Sequence, residues 1–233
     1  MISLENKAQI PYTPKISFMQ TACLISAFSG SSLAPDLWVQ RVNGRPSAVI
    51  SRYGGRLNIT ADGADFAEIK EFIRVIGFSE IFTEKNTAIS LGFDSFSEFA
   101  VLKKTAQKIA EQGTQVSLSA LYGALKLGAD GEITLPEFEA FAPDVSHRLR
   151  HGAATAVLTS FGGALAFTNK FGGIINGISV NSAARGHGLG SKLLSSICST
   201  VCGEIFVCAN KKTEEFYIKN GFTPCGEAVI IRG

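Results

Sequence analysis

The sequence predicts an α/β protein with mixed sheets (α+β character), in which strands and helices follow one another in a repeated order. Two observations support this prediction. Short apolar segments separated by Asn-Gly and Gly-Gly turns precede segments with helical periodicity. The order strand, strand, strand, helix, strand also occurs twice, once before residue 85 and once after residue 153. The chain therefore contains two similar arrangements of elements.

The first arrangement follows a predicted helix at Ile16–Phe28. Its predicted strands are Leu37–Val42, Ser47–Tyr53, Arg56–Thr60 and Ser79–Thr83. The helix before the last strand is marked by apolar residues at helical spacing, namely Phe66, Ile69, Phe72, Ile73 and Ile76. Asp62 or Asp65 is suited to cap its start and Gly77 its end.

The second arrangement comprises predicted strands at Ala154–Ser160, Ala164–Thr168, Ile174–Val180 and Glu204–Cys208, with a helix after Gly188. Between the two arrangements, residues 97–111 are compatible with a helix or a strand, Ser117–Leu127 with a helix, and Pro136 with a helix start. The repetition predicts two domains, 1–125 and 126–233. The first is degenerate, because ADGAD stands before its helix and acidic residues there would repel a phosphate.

Composition excludes several functions. The chain of 233 residues is 45% hydrophobic and 18% charged, with a net charge of +2 and no basic tail, so it predicts neither a nucleic-acid nor a membrane partner. Its five cysteines are an odd number, and the N-terminus has no signal-peptide pattern. Free, buried thiols and a cytoplasmic location are expected. The longest apolar run, Ile16–Phe28, is too short to span a bilayer.

Two patterns suggest metal binding but lack the required ligands. Asp130, Gly131, Ile133 and Glu137 match positions of a calcium-binding loop, yet its first and third positions would be Lys126 and Gly128. His147 and His151 are four residues apart, but no third ligand is evident, so surface residues or an acceptor-site lining are the better interpretations. No metal is expected.

A glycine-rich turn, Arg185-Gly-His-Gly-Leu-Gly190, connects the strand ending at Val180 to a helix. The first N–H groups of a helix lack internal partners and carry partial positive charge, so this turn predicts an anion site. Successive strands precede the turn, and no acidic residue ends the next strand, which argues against a dinucleotide fold and an oxidoreductase. A P-loop would require Gly-Lys-Ser/Thr, whereas Gly190-Ser191-Lys192 has another order.

The turn and the segment after it together resemble the GCN5-related N-acetyltransferases (GNAT). The residues that carry the resemblance are Val180, Arg185 to Gly190, Asn210, Phe216-Tyr217 and Gly221-Phe222. It covers about residues 153–233 and extends over the first 150 residues as a diverged copy of the same fold. The resemblance thus implies an acyl-CoA N-acyltransferase fold, formed by a tandem of two GNAT-like halves. Ser182 departs from the pattern, because proline is frequent at this position.

The resemblance implies that acetyl-CoA is the acetyl donor. The backbone of the turn would bind its pyrophosphate, with contributions from Arg185, Gly186, His187, Gly188, Leu189, Gly190 and Ser191. The pantetheine arm would pair with the backbone of Ile178, Ser179 and Val180, where this strand separates from Glu204–Cys208. Asn210 would contact the cofactor or cap a helix, and Tyr217 would protonate the leaving thiolate or serve a structural role.

The implied reaction is the direct attack of an amine on the thioester, with the carbonyl polarised by the Val180 N–H. The sequence does not identify the general base: Asp144, Glu204, residues of the first copy and a water are all candidates. The acceptor would be a small-molecule or peptide amine bound where the two copies meet. A catalytically silent acetyl-CoA-binding or regulatory module is the alternative function.

Overall fold

The structure is a computed structural model that describes residues 1–4, 17–27, 37–53, 55–107, 109, 116–127, 135–169 and 172–233. The strands are β1 (Ile2–Leu4), β2 (Leu37–Val42), β3 (Arg45–Tyr53), β4 (Arg56–Ala61), β5 (Glu80–Glu84), β6 (Ser97–Ala106), β7 (Ala154–Thr159), β8 (Gly162–Asn169), β9 (Gly172–Val180), β10 (Gly203–Ala209) and β11 (Thr223–Arg232). The helices are α1 (Phe18–Ala27), α2 (Phe66–Ile76), α3 (Lys85–Ser90), α4 (Leu118–Lys126), α5 (Phe138–Arg150), α6 (Leu189–Cys198) and α7 (Glu214–Lys219).

The described chain divides into two compact units. Unit 1 comprises residues 1–102, 208–219 and 223–233, and unit 2 comprises residues 103–207 and 220–222. The sequence predicts a boundary between residues 125 and 126 because it separates two copies of one fold. The division into units is based on compactness and does not test that boundary, which stays a prediction.

Unit 1 contains a mixed sheet in the order β1-β2-β3-β4-β5-β11. Its neighbouring strands are antiparallel except for β4 and β5, which are parallel. The predicted Asn-Gly turn joins β2 to β3, and Asn43 and Gly44 both have positive φ angles, of 51° and 77°. The parallel pair is explained by α2, which connects the ends of β4 and β5 as a crossover.

Local sequence signals determine both ends of α2. The Asp65 carboxylate accepts hydrogen bonds from the N–H groups of Ala67 and Glu68, and Gly77 follows the helix with a φ of 67°. One face of the helix is buried against the sheet, in a core that includes Ile50, Leu57, Ile59, Ile69, Ile73 and Ile81. The apolar residues that recur at helical spacing in the sequence therefore form the buried face of α2.

Unit 2 also contains both antiparallel and parallel strand pairs. The strands β7, β8 and β9 are antiparallel neighbours, and β9 pairs with β10 in parallel. The helices α4 and α5 form an apolar core with β7 and β8 that includes Leu121, Leu125, Phe141, Val145, Ala156 and Leu165. The predicted mixed α/β fold class is confirmed in both units.

The segment between the two arrangements was harder to predict. Residues 97–106 form strand β6, so the strand interpretation is confirmed for this part of the segment. The helix expected near Pro136 begins at Phe138 and continues through Pro143 to Arg150. Residues 128–134 of the calcium-loop pattern lie outside the described residues.

The five cysteines are free, as expected, but they are not all buried. Cys23 and Cys198 are buried, whereas Cys202 and Cys225 are exposed. Burial raises the pKa of the Cys23 thiol to about 12 and that of Cys198 to about 11, so both remain protonated at neutral pH. The prediction of buried thiols is therefore correct for these two and wrong for the exposed pair.

Candidate functional site

Strand β9 is paired along its whole length on one side and along only part of its length on the other. It pairs with β8 from Gly172 to Val180, whereas its register with β10 ends at the pair of Ile174 with Phe206. The segment Ile175–Val180 therefore presents a backbone edge that β10 does not cover. This separation of the two strands agrees with the splay predicted from the sequence.

A β-bulge lies where the two strands separate. Leu165 and Ala166 of β8 are consecutive residues, yet their partners are Gly177 and Ile175, so Asn176 is an extra residue in β9. The Asn176 side chain is exposed. Because a bulge bends the strand and increases its twist, it accounts for the departure of β9 from β10 at this point.

The turn after β9 depends on two glycines in the left-handed region. A 3₁₀ turn at Ser182–Ala184 is followed by Gly186 and Gly188, whose φ angles are 81° and 72°. A Cβ atom at either glycine would meet no heavy atom within 4 Å. The requirement for glycine within the protein is therefore conformational rather than steric.

Helix α6 begins without a side-chain cap. Its N-cap residue is Gly188, and its first internal hydrogen bond runs from the Lys192 N–H to the Gly188 carbonyl, at 3.2 Å. The N–H groups of Leu189, Gly190 and Ser191 precede this bond. Together with the partial positive charge of the helix start, these groups suit an anion, as the sequence predicted.

Two basic residues of the turn are exposed and hydrogen-bonded to the backbone. Arg185 Nε donates to the Val180 carbonyl at 3.1 Å, which holds the guanidinium beside the end of β9. His187 Nδ1 lies 2.8 Å from the Arg185 carbonyl. Because a carbonyl oxygen only accepts, Nδ1 is the donor in this contact, and Nε2 is the ring atom available to a ligand.

Ser179 is buried in the segment of β9 that β10 does not cover. The residue is 5% exposed, and its Oγ has no hydrogen-bond partner among the described residues. Sequence reasoning selected this residue for its backbone only. The signal that was available is a hydroxyl group within the otherwise apolar end of the strand, Ile178-Ser179-Val180.

Asn210 caps the turn that leads into α7. Its Oδ1 accepts hydrogen bonds from the N–H groups of Lys212 and Thr213, both at 3.1 Å. The capping interpretation made from the sequence is thus confirmed, while the contact of Asn210 with a cofactor stays a prediction.

Tyr217 lies on α7 and is 6% exposed, whereas its neighbour Phe216 is half-buried. Their ring centroids are 5.2 Å apart in an edge-to-face arrangement. Tyr217 is therefore the more buried residue of the predicted pair. Its role as an acid stays a prediction beside the structural interpretation.

Both acids named as possible bases form ion pairs within unit 2. Asp144 accepts at both carboxylate oxygens from Arg148 Nε, at 3.0 Å, and Arg148 is 4% exposed. Glu204 accepts from Lys103 Nζ at 3.0 and 3.1 Å. Each of the two carboxylates therefore has a basic partner, and the identity of the general base stays open.

A further acid was not singled out by the sequence. Burial raises the pKa of Glu84 to about 7, although the Thr60 hydroxyl donates to its Oε1 at 3.1 Å. Such a shift depends on desolvation, which no local sequence signal reveals.

The structure brings together, in unit 2, the predicted residues from Ile178 to Ser191. Asn210 and Tyr217 belong to unit 1. Among the described residues, no group of three or more His, Cys, Asp or Glu side chains is arranged to hold a metal ion. None of the described helices is both long and apolar enough to cross a membrane.

Comparison with known proteins gives a consistent result. Residues 151–224 match the family described as Acetyltransferase (GNAT) domain. No curated protein matches the chain. A GCN5-related N-acetyltransferase from Sphaerobacter thermophilus is similar, with a TM-score of 0.56 at 13% identity, over 100% of this chain and 95% of that chain. Another, from Kribbella flavida, has a TM-score of 0.56 at 14% identity, over 78% of this chain and 85% of that one.

A third similar structure is titled as a tandem GNAT protein from the clavulanic acid biosynthesis pathway. Its TM-score is 0.53 at 12% identity, with coverage of 91% of this chain and 87% of that chain. At such identities the likeness concerns the fold. The family match is independent of the fold comparison, and the residues that it covers include β9, the glycine turn and α6. Residues 151–224 therefore match the GNAT domain family, and the fold of the chain is similar to that of these solved structures.

Proposed function

We propose that this chain is an N-acetyltransferase that moves an acetyl group from acetyl-CoA to an amine by direct attack. The observation that carries the proposal is the uncovered edge of Ile175–Val180, which runs into a glycine turn and an uncapped helix. The uncovered edge can pair with the amide-containing pantetheine arm of coenzyme A. The anion site at the end of this edge can bind its pyrophosphate.

The pyrophosphate site is the turn and the first residues of α6. The N–H groups of Leu189, Gly190 and Ser191 point out of the helix start, and Gly186 and Gly188 let the backbone approach the phosphates. Arg185 adds a fixed positive charge beside them. Coenzyme A is thus held mainly by backbone groups, with His187 at the edge of the same turn.

The backbone of Ile178, Ser179 and Val180 binds the pantetheine arm in the manner of an added strand. This pairing orients the thioester at the point where β9 leaves β10. The Val180 N–H polarises the carbonyl, and Tyr217 returns a proton to the departing thiolate. Asn210, which caps the turn before α7, is a further residue that we assign to the cofactor.

The acceptor in this proposal is an amine of a small molecule or a peptide. It attacks in its neutral form, so a base or a water must remove its proton. Because Asp144 and Glu204 are ion-paired, we assign neither of them to this step.

A silent acetyl-CoA-binding module is the second candidate. Two observations favour it: the ion pairs of Asp144 and Glu204, and the burial of Tyr217. Both candidates predict binding of acetyl-CoA, and only the first predicts release of free CoA when amines are added.

Binding of acetyl-CoA to the wild-type chain and to Arg185→Glu, measured by calorimetry, tests the site. Reversal of this charge is expected to weaken binding by at least thirtyfold, because a cation beside the phosphates becomes an anion. Arg74→Glu is the control, since Arg74 is an exposed residue of α2 in unit 1. An unchanged affinity of Arg185→Glu would remove the pyrophosphate assignment.

Release of free CoA in the presence of amines, amino acids and peptides separates the two candidates. For a substrate found in this way, Tyr217→Phe is expected to lower kcat about tenfold to a hundredfold, with little change in acetyl-CoA affinity. If kcat holds, Tyr217 is structural. If no amine gives turnover while acetyl-CoA binds, the binding module is the better description.

A further inference from the structure

The hydroxyl of Ser179 is a buried polar group without a hydrogen bond to the part of the chain that the structure describes. The residue is 5% exposed. A hydroxyl that loses its water contacts on folding without gaining a partner destabilises the protein. The presence of such a group at this position calls for an explanation outside the folded chain itself.

Neighbouring residues show which face of the sheet carries this hydroxyl. Ser179 lies opposite Gly163 in the register of β8 and β9. A Cβ atom at Gly163 would lie 3.2 Å from Leu121 and Ala124 of α4, and one at Gly177 would lie 3.1 Å from Leu125. Side chains two residues apart, or directly opposite, share a face. Ser179 therefore projects on the α4 side, where these glycine and apolar neighbours offer its hydroxyl no side-chain partner.

The position of Ser179 along the strand points to the reacting group. It immediately precedes Val180 and lies within Ile175–Val180, the segment of β9 that β10 does not cover. In the proposed function the thioester lies beside this segment. A thioester carbonyl oxygen is an acceptor and gains negative charge when an amine attacks, whereas a serine hydroxyl is a donor.

We infer that the Ser179 hydroxyl donates a hydrogen bond to the thioester carbonyl oxygen of acetyl-CoA, as a second donor beside the Val180 N–H. This inference rests on the proposed function and adds a catalytic side chain to it. No bond to Ser179 forms or breaks in the step. The amine nitrogen bonds to the carbonyl carbon, the carbon–sulfur bond breaks, and the hydroxyl stabilises the charge that develops on oxygen.

Calorimetric titrations with acetyl-CoA and with free CoA test the inference, because only acetyl-CoA carries the carbonyl group. Ser179→Ala is expected to weaken acetyl-CoA binding about fivefold to tenfold and to leave CoA binding within twofold. Ser179→Thr retains the hydroxyl, so the difference in affinity between acetyl-CoA and CoA is expected to remain as in the wild-type protein. Ser196→Ala is the matched control, because its Oγ is exposed on α6 and donates to the Lys192 carbonyl.

Thermal unfolding of the same variants separates this role from a structural one. Removal of a hydroxyl that has no partner is expected to leave the Tm of Ser179→Ala unchanged or higher, whereas a structural hydroxyl would lower it. Equal losses for acetyl-CoA and CoA, no loss for either, or a lower Tm would overturn the inference while leaving the proposed function in place. Failure of the wild-type protein to bind either titrant would instead contradict the proposed function.

Discussion

The turn between β4 and α2 and the turn between β9 and α6 begin alike and end differently. In unit 1 the Asp62 N–H donates to the Ser47 carbonyl, and in unit 2 the Asn181 N–H donates to the Phe161 carbonyl, both at 2.8 Å. Residues 62–64 then lead to the N-cap of α2, whereas the longer segment 181–187 leads to the N-cap of α6.

The two helix starts differ in what satisfies their N–H groups. In unit 1, Asp65 Oδ1 accepts from the first turn of α2, and Gln40 Oε1 accepts from the Asp65 N–H at 2.9 Å. Helix α6 has only Gly188 at the equivalent place and no side-chain cap. The cap of α2 occupies N–H groups that a phosphate would need, whereas α6 leaves them open, so the proposed pyrophosphate site is assigned to unit 2.

The strands beside the two turns show the same contrast. In unit 1, β4 pairs with β5 as far as Ile59, two residues before the strand ends at Ala61. The Thr60 hydroxyl then bonds to Glu84 and joins the two strands further. In unit 2, the pairing of β9 stops six residues before the end of the strand, at Ile174. The same order of elements thus produces one closed edge and one open edge.

The largest expected effect comes from giving α6 the kind of cap that α2 has. Gly188→Asp places a carboxylate at the N-cap and a side chain at a φ of 72°, and it is expected to weaken acetyl-CoA binding more than a hundredfold. Calorimetry measures the affinity. Gly63→Asp is the control, because Gly63 has a φ of 64° in the corresponding turn of unit 1. Equal losses in both variants would contradict the assignment of the site to unit 2.

A second prediction concerns the closed edge of unit 1 and its dependence on pH. Glu84 has a pKa raised from 4.5 to about 7, mainly by burial, and none of the described residues is hydrogen-bonded to its Oε2. The folded state therefore binds the proton more tightly than the unfolded state. Glu84 is therefore expected to contribute up to about 3 kcal/mol to the free energy of unfolding below pH 4.5, and this contribution is lost as the pH rises through 7.

Glu84→Gln should remove this decline, so that the variant is more stable than the wild-type protein at pH 8. Denaturant unfolding followed by tryptophan fluorescence measures it, because the chain has a single tryptophan, Trp38, which packs on Phe72 in unit 1. Glu71→Gln is the control, since Glu71 forms an exposed ion pair with Arg74. If the unfolding free energies of the wild-type protein and Glu84→Gln changed with pH in parallel, the burial of Glu84 would not be the cause of the decline.

The smallest expected effect is the removal of the cap of α2. Asp65→Ala leaves the N–H groups of Ala67 and Glu68 without their carboxylate and is expected to cost about 1 kcal/mol of unfolding free energy. The same fluorescence measurement reports it. Acetyl-CoA affinity should not change. A loss of affinity as large as that of Gly188→Asp would mean that the two turns are not distinct in function.

The parts of the fold that depend on local signals were predictable from the sequence. The carboxylate of Asp65, the positive φ of Gly77 and the Asn43-Gly44 turn act over a few residues, so α2 and the β2–β3 hairpin were recognised. The sequence of strand β6 is compatible with a helix or a strand, because its strand conformation depends on pairing with distant residues. Pro143 gave no indication that α5 would continue through it.

The same division applies to the site. The glycine turn and the cap at Asn210 were visible as residue patterns. The unsatisfied hydroxyl of Ser179 depends on register and on the approach of α4, and the raised pKa of Glu84 depends on burial. Neither property belongs to a residue and its sequence neighbours, so a sequence pattern alone could not reveal it.

The bulge at Asn176 also determines on which face of the sheet each later side chain of β9 lies. Side chains alternate between the two faces of a strand, and one extra residue inverts that alternation downstream. Regular pairing of the same residues beyond Ile175, with Asn176 opposite Leu165, would transfer Ser179 to the opposite face and bring Val180 to the α4 side. Two chains with identical residues from 175 to 180 would therefore present different side chains to α4 if only one of them formed the bulge.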